Sequence, residues 1–147
     1  MNFDLSDQHK LLKQTMREFA EREIAPGARE RDESARFPHE LVPKMAELGL
    51  FGVTVPETYG GAGLDALSFA MVIEEIARVD AAVALMLASH NSLCAGHILG
   101  FGSEEQKRTY LISLAGGRQL GAWALTEPEA GSGAKFLKSR AVPQGGG

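Results

Sequence analysis

Three residues with ligand chemistry, His90, Cys94 and His97, stand at i, i+4 and i+7. On a helix this spacing places them near one face, and imidazole and thiolate are ligand types that suit zinc. Three ligands on one straight helix, however, spread over about 10 Å at 1.5 Å per residue. One neighbouring pair could share an ion and all three could not, so the plainer reading is a buried helix whose polar groups are satisfied by neighbours, with no metal. Ser132 lies in Gly131-Ser132-Gly133. That is not the G-x-S-x-G spacing of a nucleophile elbow, and nothing places a base beside it. Gly60-Gly61-Ala62-Gly63 has the composition of a phosphate cradle but lacks the following Lys-Ser/Thr of a P-loop, so it reads as a plain loop. Lys135, Lys138 and Arg140 read as a solvated strand face, with contact to a phosphate-bearing ligand the lesser reading. The richest stretch is Trp123-Ala124-Leu125-Thr126-Glu127-Pro128-Glu129-Ala130-Gly131-Ser132. A strand would deliver the Thr126 hydroxyl and N–H to the start of a loop. Gly131 allows close backbone approach, and Ser132 adds a second N–H and hydroxyl. Such a loop can hold an anionic group without a formal positive charge, although an ordinary turn has the same residues.

These candidates have to be positioned by the elements around them. Ser6 can cap a first helix over residues 6–24, in which Leu12, Met16, Phe19, Ala20 and Ile24 make one apolar stripe. Pro26-Gly27 should end or kink it, and residues 27–36 read as a short exposed turn or helix. A second helix is expected over residues 39–48, with Leu41, Met45 and Leu48 on one face, Pro43 near its first turn and Gly49 as its stop. Residues 51–55 read as a short extended run. Asp65 caps a third helix, with Leu64 and Phe69 as a hydrophobic staple and Phe69, Val72, Ile73 and Ile76 facing inward. Asp80 caps a central apolar helix over residues 81–99. Ser103-Glu104-Glu105-Gln106 is a capping box opening a further helix that ends at Gly116-Gly117. Strands are then expected over residues 120–126, with Trp123 and Leu125 on one face, and over residues 136–142. The first of these would offer an unpaired edge for self-association. Gly145-Gly146-Gly147 reads as a turn or linker.

The chain therefore reads as mainly α, a helical bundle over residues 1–118 followed by an incomplete β segment over residues 119–147. Its 147 residues suffice for one packed domain, with 44% hydrophobic and 23% charged residues arguing against general disorder. A net charge of −4 implies no polyanion-binding surface, so no nucleic-acid partner is expected. No formal charge occurs from residue 81 to residue 101, a length that could span a membrane. Ser89, His90, Asn91, Ser92, Gly96, His97 and Gly100 interrupt it, so it is read instead as the buried centre of the bundle. One cysteine excludes an internal disulfide. With an N-terminus that lacks the basic start and apolar run of a signal peptide, this points to a cytoplasmic, reducing setting.

Thr126-Glu127-Pro128-Glu129-Ala130-Gly131-Ser132 resembles the T-E-P-x-A-G-S flavin motif of acyl-CoA dehydrogenases. Residues 56–64, Pro-Glu-Thr-Tyr-Gly-Gly-Ala-Gly-Leu, resemble that family's P-E-x-Y-G-G-x-G-x loop. His90-Asn91-Ser92-Leu93 and Phe101-Gly102-Ser103-Glu104-Glu105-Gln106-Lys107 resemble its central helix and the one after it. The resemblance covers essentially the whole chain. It implies an N-terminal helical domain leading into a middle β domain, FAD as cofactor, and oxidation of an acyl-CoA to a trans-2-enoyl-CoA. A glutamate base takes the α-proton and the β-hydrogen leaves as hydride. An electron-transfer flavoprotein is the implied electron acceptor, and the full-length form is expected to be a homo-oligomer. By the match, residues 123–132 are the first flavin segment. Thr126 would donate to the pyrimidine end of the flavin, and Ser132 would lie near the FAD pyrophosphate and the acyl-CoA. Gly133 stands where the family usually has Asp. The glutamate base and the second flavin motif have no counterparts in these 147 residues, so the chain alone is expected to be inactive. The competing reading is a non-catalytic helical module that binds a partner or a lipid-like ligand.

Overall fold

The computed structural model describes residues 4–142; the 145–147 linker and the first three residues lie outside the described residues. The first helix, α1 (Asp7–Phe19), starts where Ser6 accepts from His9 N, as its type predicts. It does not stop at Pro26-Gly27. A π-helical turn (Ala20–Ile24) carries it directly into α2 (Ala25–Ser34). The Ala25 N–H reaches back five residues to the Ala20 carbonyl. Pro26 then falls in the first turn of α2, where a missing N–H costs nothing. Met16, Phe19, Ala20 and Ile24 are buried and Leu12 is half-buried against them.

Helix α3 (Leu41–Glu47) buries Leu41 and Met45 but not Leu48. Leu48 follows the last helical residue, so it leaves the helical face and is exposed. Gly49, at φ 69°, takes the left-handed stop that a side chain would resist. The extended run expected over residues 51–55 is replaced by a 3₁₀ turn (Leu50–Gly52). Burying Phe51 fully, with Leu50, Val53 and Val55, decides this locally, since a lone extended run would leave its polar backbone without a sheet partner.

Helix α4 (Ala66–Ala77) is capped by Asp65, which accepts from Ser68 N, and α5 (Ala81–Ala88) by Asp80, which accepts from Ala82 N and Val83 N. Val72 and Ile76 are buried, while Phe69, Ile73 and Leu64 are half-buried. Helix α5 runs through a second π-helical turn (Ser89–Ala95) into α6 (Gly96–Phe101), two residues beyond the expected end. The capping box is present, with Ser103 and Gln106 bonded reciprocally. It opens a helix of three pieces, α7 (Glu104–Gln106), a π turn (Lys107–Leu111) and α8 (Ile112–Ala115).

Helix α4 packs against α1 on one side and α5 on the other. Their shared core also takes Leu41, Met45, Leu50, Phe51, Val83, Ala84 and Leu87. Each such large side chain contributes roughly 1.5–3 kcal/mol through burial. A smaller cluster of Val55, Ala95, Leu111 and Ala115 joins the far end of the central helix to the last helix. The 21-residue run Ala81–Phe101 is long and apolar enough to cross a membrane by length and composition, yet Val83, Ala84, Leu87, His90, Asn91 and Ala95 of it are buried in the bundle.

The chain is mainly α, and neither expected strand forms among the described residues. Residues 120–126 are irregular, and a 3₁₀ turn (Ala134–Phe136) takes part of the second. A strand needs a ladder partner, and none runs beside these segments. The only β-type pairing among the described residues is the isolated bridge between Glu127 and Ala130. The unpaired strand edge expected at residues 120–126 is therefore not present either.

Candidate functional site

The long helix that begins at α5 positions the candidate site through one face. His90 is fully buried. Its Nε2 donates to the Phe51 carbonyl at 3.1 Å, and its ring meets the Phe51 ring edge-on with centroids 5.0 Å apart. Its Nδ1 accepts the Gly121 N–H at 2.9 Å. Because a carbonyl only accepts, the imidazole proton sits on Nε2 and Nδ1 is bare. Burial pushes the imidazole's pKa below its usual value, against the opposing pull of the Phe51 and Leu114 carbonyls. With both nitrogens engaged, His90 has none left for a metal, and the described residues hold no cluster of three or more ligating side chains.

Cys94, one turn on, is half-buried. Burial pushes its thiol pKa up, partly offset by the Ala122 N–H. His97 stacks its ring on Trp123 with centroids 4.1 Å apart. The three residues that the spacing brought together thus share a face, but their partners are the backbone of Gly121, the N–H of Ala122 and the ring of Trp123.

Asn91, beside His90, is also buried. Its Nδ2 donates to the carbonyls of Leu50 and Leu87, and its Oδ1 accepts the Val53 N–H. The positions of His90 and Asn91 in the middle of an uncharged apolar helix were the sequence signal for these roles. Apart from Leu87, one turn back, their partners lie 31–41 residues away, so the roles themselves were not readable.

Beyond Trp123 the chain turns outward. Trp123, Ala124, Leu125, Thr126, Pro128 and Glu129 are exposed. The loop closes on itself where Glu127 N donates to the Ala130 carbonyl and Ala130 N to the Glu127 carbonyl, both at 3.1 Å. Ala130 is buried beneath this closure. The Glu127 carboxylate is held below its usual pKa by the Ser139 side chain and by the N–H groups of Lys138 and Ser139. Glu129 pairs with Lys138, so both carboxylates face the following segment. The basic group is correspondingly exposed, with Lys135 over the Phe136 ring.

The Thr126 and Ser132 hydroxyls are exposed and bond to no other described residue. A Cβ on Gly131 would meet nothing within 4 Å. The loop therefore presents unspent donors beside open space, which fits a polar or anionic ligand group. Gly133 is matched to Phe136, whose ring lies 2.8 Å from where a Cβ would stand. The glycine-rich run 60–63 does the opposite. Its amides donate to the carbonyls of Glu57, Pro56, Gly52 and Val55, so none is left for a phosphate.

Residues 6–118 match the family model for the acyl-CoA dehydrogenase N-terminal domain. The short-chain specific acyl-CoA dehydrogenase of Clostridium acetobutylicum is 44% identical over 145 residues, 99% of this chain and 38% of its own length. Butyryl-CoA dehydrogenase from Megasphaera elsdenii superposes with a TM-score of 0.87 at 39% identity, over 94% of this chain and 37% of that one. A chain in the structure of the electron transferring flavoprotein of Acidaminococcus fermentans superposes with a TM-score of 0.92 at 42% identity, over 99% of this chain and 38% of that one. This chain thus spans about 38% of the length of its curated relatives. With the helical order, the caps and the 126–132 loop all in place, the chain belongs to the acyl-CoA dehydrogenase family.

Proposed function

We propose that this chain supplies the N-terminal helical domain, residues 1–118, and the first flavin segment, within residues 119–147, of an enzyme that oxidises an acyl-CoA to its trans-2-enoyl-CoA. The observation that carries the reading is the 126–132 loop. It holds the T-E-P-x-A-G-S pattern, closes through Glu127 and Ala130, and leaves the Thr126 and Ser132 donors unspent. These donors fit FAD. Thr126 would hold the pyrimidine end of the flavin, and Ser132 the pyrophosphate and the acyl-CoA. FAD, when bound, takes up the hydride that leaves the β-carbon of the substrate. The contribution of this chain is to bind and orient. Donors fixed in advance where negative charge grows cost no reorganisation at the moment of reaction. The base that takes the α-proton belongs to the part of the relatives that this chain does not span. Electrons then pass to an electron-transfer flavoprotein, and the complete enzyme is a homo-oligomer in the cytoplasm.

A chimera tests this. The corresponding N-terminal part of the Megasphaera elsdenii butyryl-CoA dehydrogenase is replaced by this chain. A yellow, flavin-loaded chimera that reduces a dye with butyryl-CoA is expected. A folded chimera that binds no flavin overturns the reading.

A further inference from the structure

Three successive turns of the central helix hold three successive residues of the segment that leads to the 126–132 loop. His90 Nδ1 takes the Gly121 N–H, Cys94 faces the Ala122 N–H, and His97 stacks on Trp123.

Glycine at 121 makes the register unique. A Cβ there would overlap Cys94 Sγ, come within 2.7 Å of Cys94 Cβ and meet Leu114 Cδ2 at 3.4 Å. Leu120, Ala122 and Trp123 all carry a Cβ, so none of them can take that place. A slip of one residue would move Thr126 by roughly 3.3–3.6 Å along the chain. That exceeds the whole tolerance of a hydrogen bond.

We propose that His90 is a positioning residue, which sets the register of the segment carrying Thr126 by accepting the Gly121 N–H on its bare Nδ1. The link to flavin chemistry rests on the function proposed above; the docking itself does not. On the other side, the Nε2–H bond to the Phe51 carbonyl holds the ring in the tautomer that keeps Nδ1 free. The bundle core, through Phe51, is thereby tied to the place where the loop leaves the helices.

Trp123 is the only tryptophan, so its emission reports the docking directly. His90→Gln keeps a donor for Phe51 and deletes the acceptor for Gly121. His90→Asn keeps an acceptor on the Gly121 side. His90→Gln should shift Trp123 emission to the red and speed Gly121 amide exchange roughly tenfold, as for loss of one partly buried hydrogen bond, with the helical circular dichroism retained. His90→Asn should keep slow exchange at Gly121. Gly121→Ala, which leaves the helix untouched, should reproduce the red shift. Unshifted emission and slow Gly121 exchange in folded His90→Gln overturn the proposal. Equal release by both His90 variants also overturns it, since that is the behaviour of a packing residue alone. If His90→Gln loses its helical signal, Gly121→Ala decides, and native emission in that folded variant overturns the proposal. None of these readouts involves flavin. A chain that passes them, beside a chimera that binds no flavin, would discard only the functional reading.

Discussion

Asn91→Ala should be one of the most damaging single substitutions in the helical domain. The side chain is 1% exposed and makes three hydrogen bonds. Removing it leaves the Val53 N–H and the Leu50 carbonyl buried and unpaired, in residues only 2% and 3% exposed. Each orphaned group costs about 1–3 kcal/mol, which gives about 4 kcal/mol for the pair. For a chain of this length the unfolding entropy is about 0.3 kcal/mol per degree, so Tm should fall by roughly 10–15 °C. Asn91→Asp adds a sharper criterion. It keeps the acceptor for Val53 but turns an oxygen toward the carbonyls of Leu50 and Leu87. The buried carboxyl must then have a folded pKa above its unfolded value of about 3.9. Its stability is greatest below the unfolded pKa, where the protonated acid can donate to Leu50, and is lost as pH rises through the folded pKa. Denaturant titration of parent and variants at pH 4 and pH 7 measures both effects. An Asn91→Ala variant within 1 kcal/mol of the parent, taking ~1 as the floor of the penalty, or an Asn91→Asp deficit equal at both pH values, would refute the reasoning.

Glu75 is fully buried and its carboxylate is held down at about 2 by Arg17, with Arg78 helping. A depressed carboxylate pKa gives stability that is present above the unfolded pKa and lost as pH falls toward 2, so Glu75→Gln should flatten the acid limb of a stability-against-pH curve measured by urea titration. Native-state hydrogen exchange should be faster through residues 120–142, where only Ala130 is buried, than through α5; equal protection in the two would contradict the packing. A polypeptide of these 147 residues should not retain FAD through desalting, because one exposed loop cannot bury most of a cofactor's surface; a stoichiometric flavin band in the visible spectrum would contradict this.

What was legible in the sequence was local. Ser6, Asp65, Asp80 and the Ser103–Gln106 box each began a helix where their types predicted, because a cap bonds within three residues of itself. Of the two outcomes that Pro26-Gly27 signals, an end or a kink, the end does not occur, since the helix runs on into α2. The π turn before it shifted the hydrogen-bond pattern and absorbed the missing donor. The strands at 120–126 and 136–142 failed for the opposite reason. Their patterning was local, but a strand forms only with a partner. The shared face of His90, Cys94 and His97 was readable from spacing, whereas its occupant was not. That face holds backbone from Gly121 to Trp123, and nothing in a helical period announces a segment 26–31 residues away.

The 126–132 loop as a flavin contact is tested most directly by the flavin affinity of Thr126→Ala in the butyryl-CoA dehydrogenase chimera. Apo-protein is titrated with FAD and followed by visible absorbance, with the midpoint potential measured on the loaded sample. Loss of one hydrogen bond from a fixed donor should weaken binding by about two- to tenfold and lower the potential, because the reduced flavin loses a partner for its growing charge. Affinity and potential equal to those of the parent chimera, in a variant that folds, would contradict the assignment of this loop.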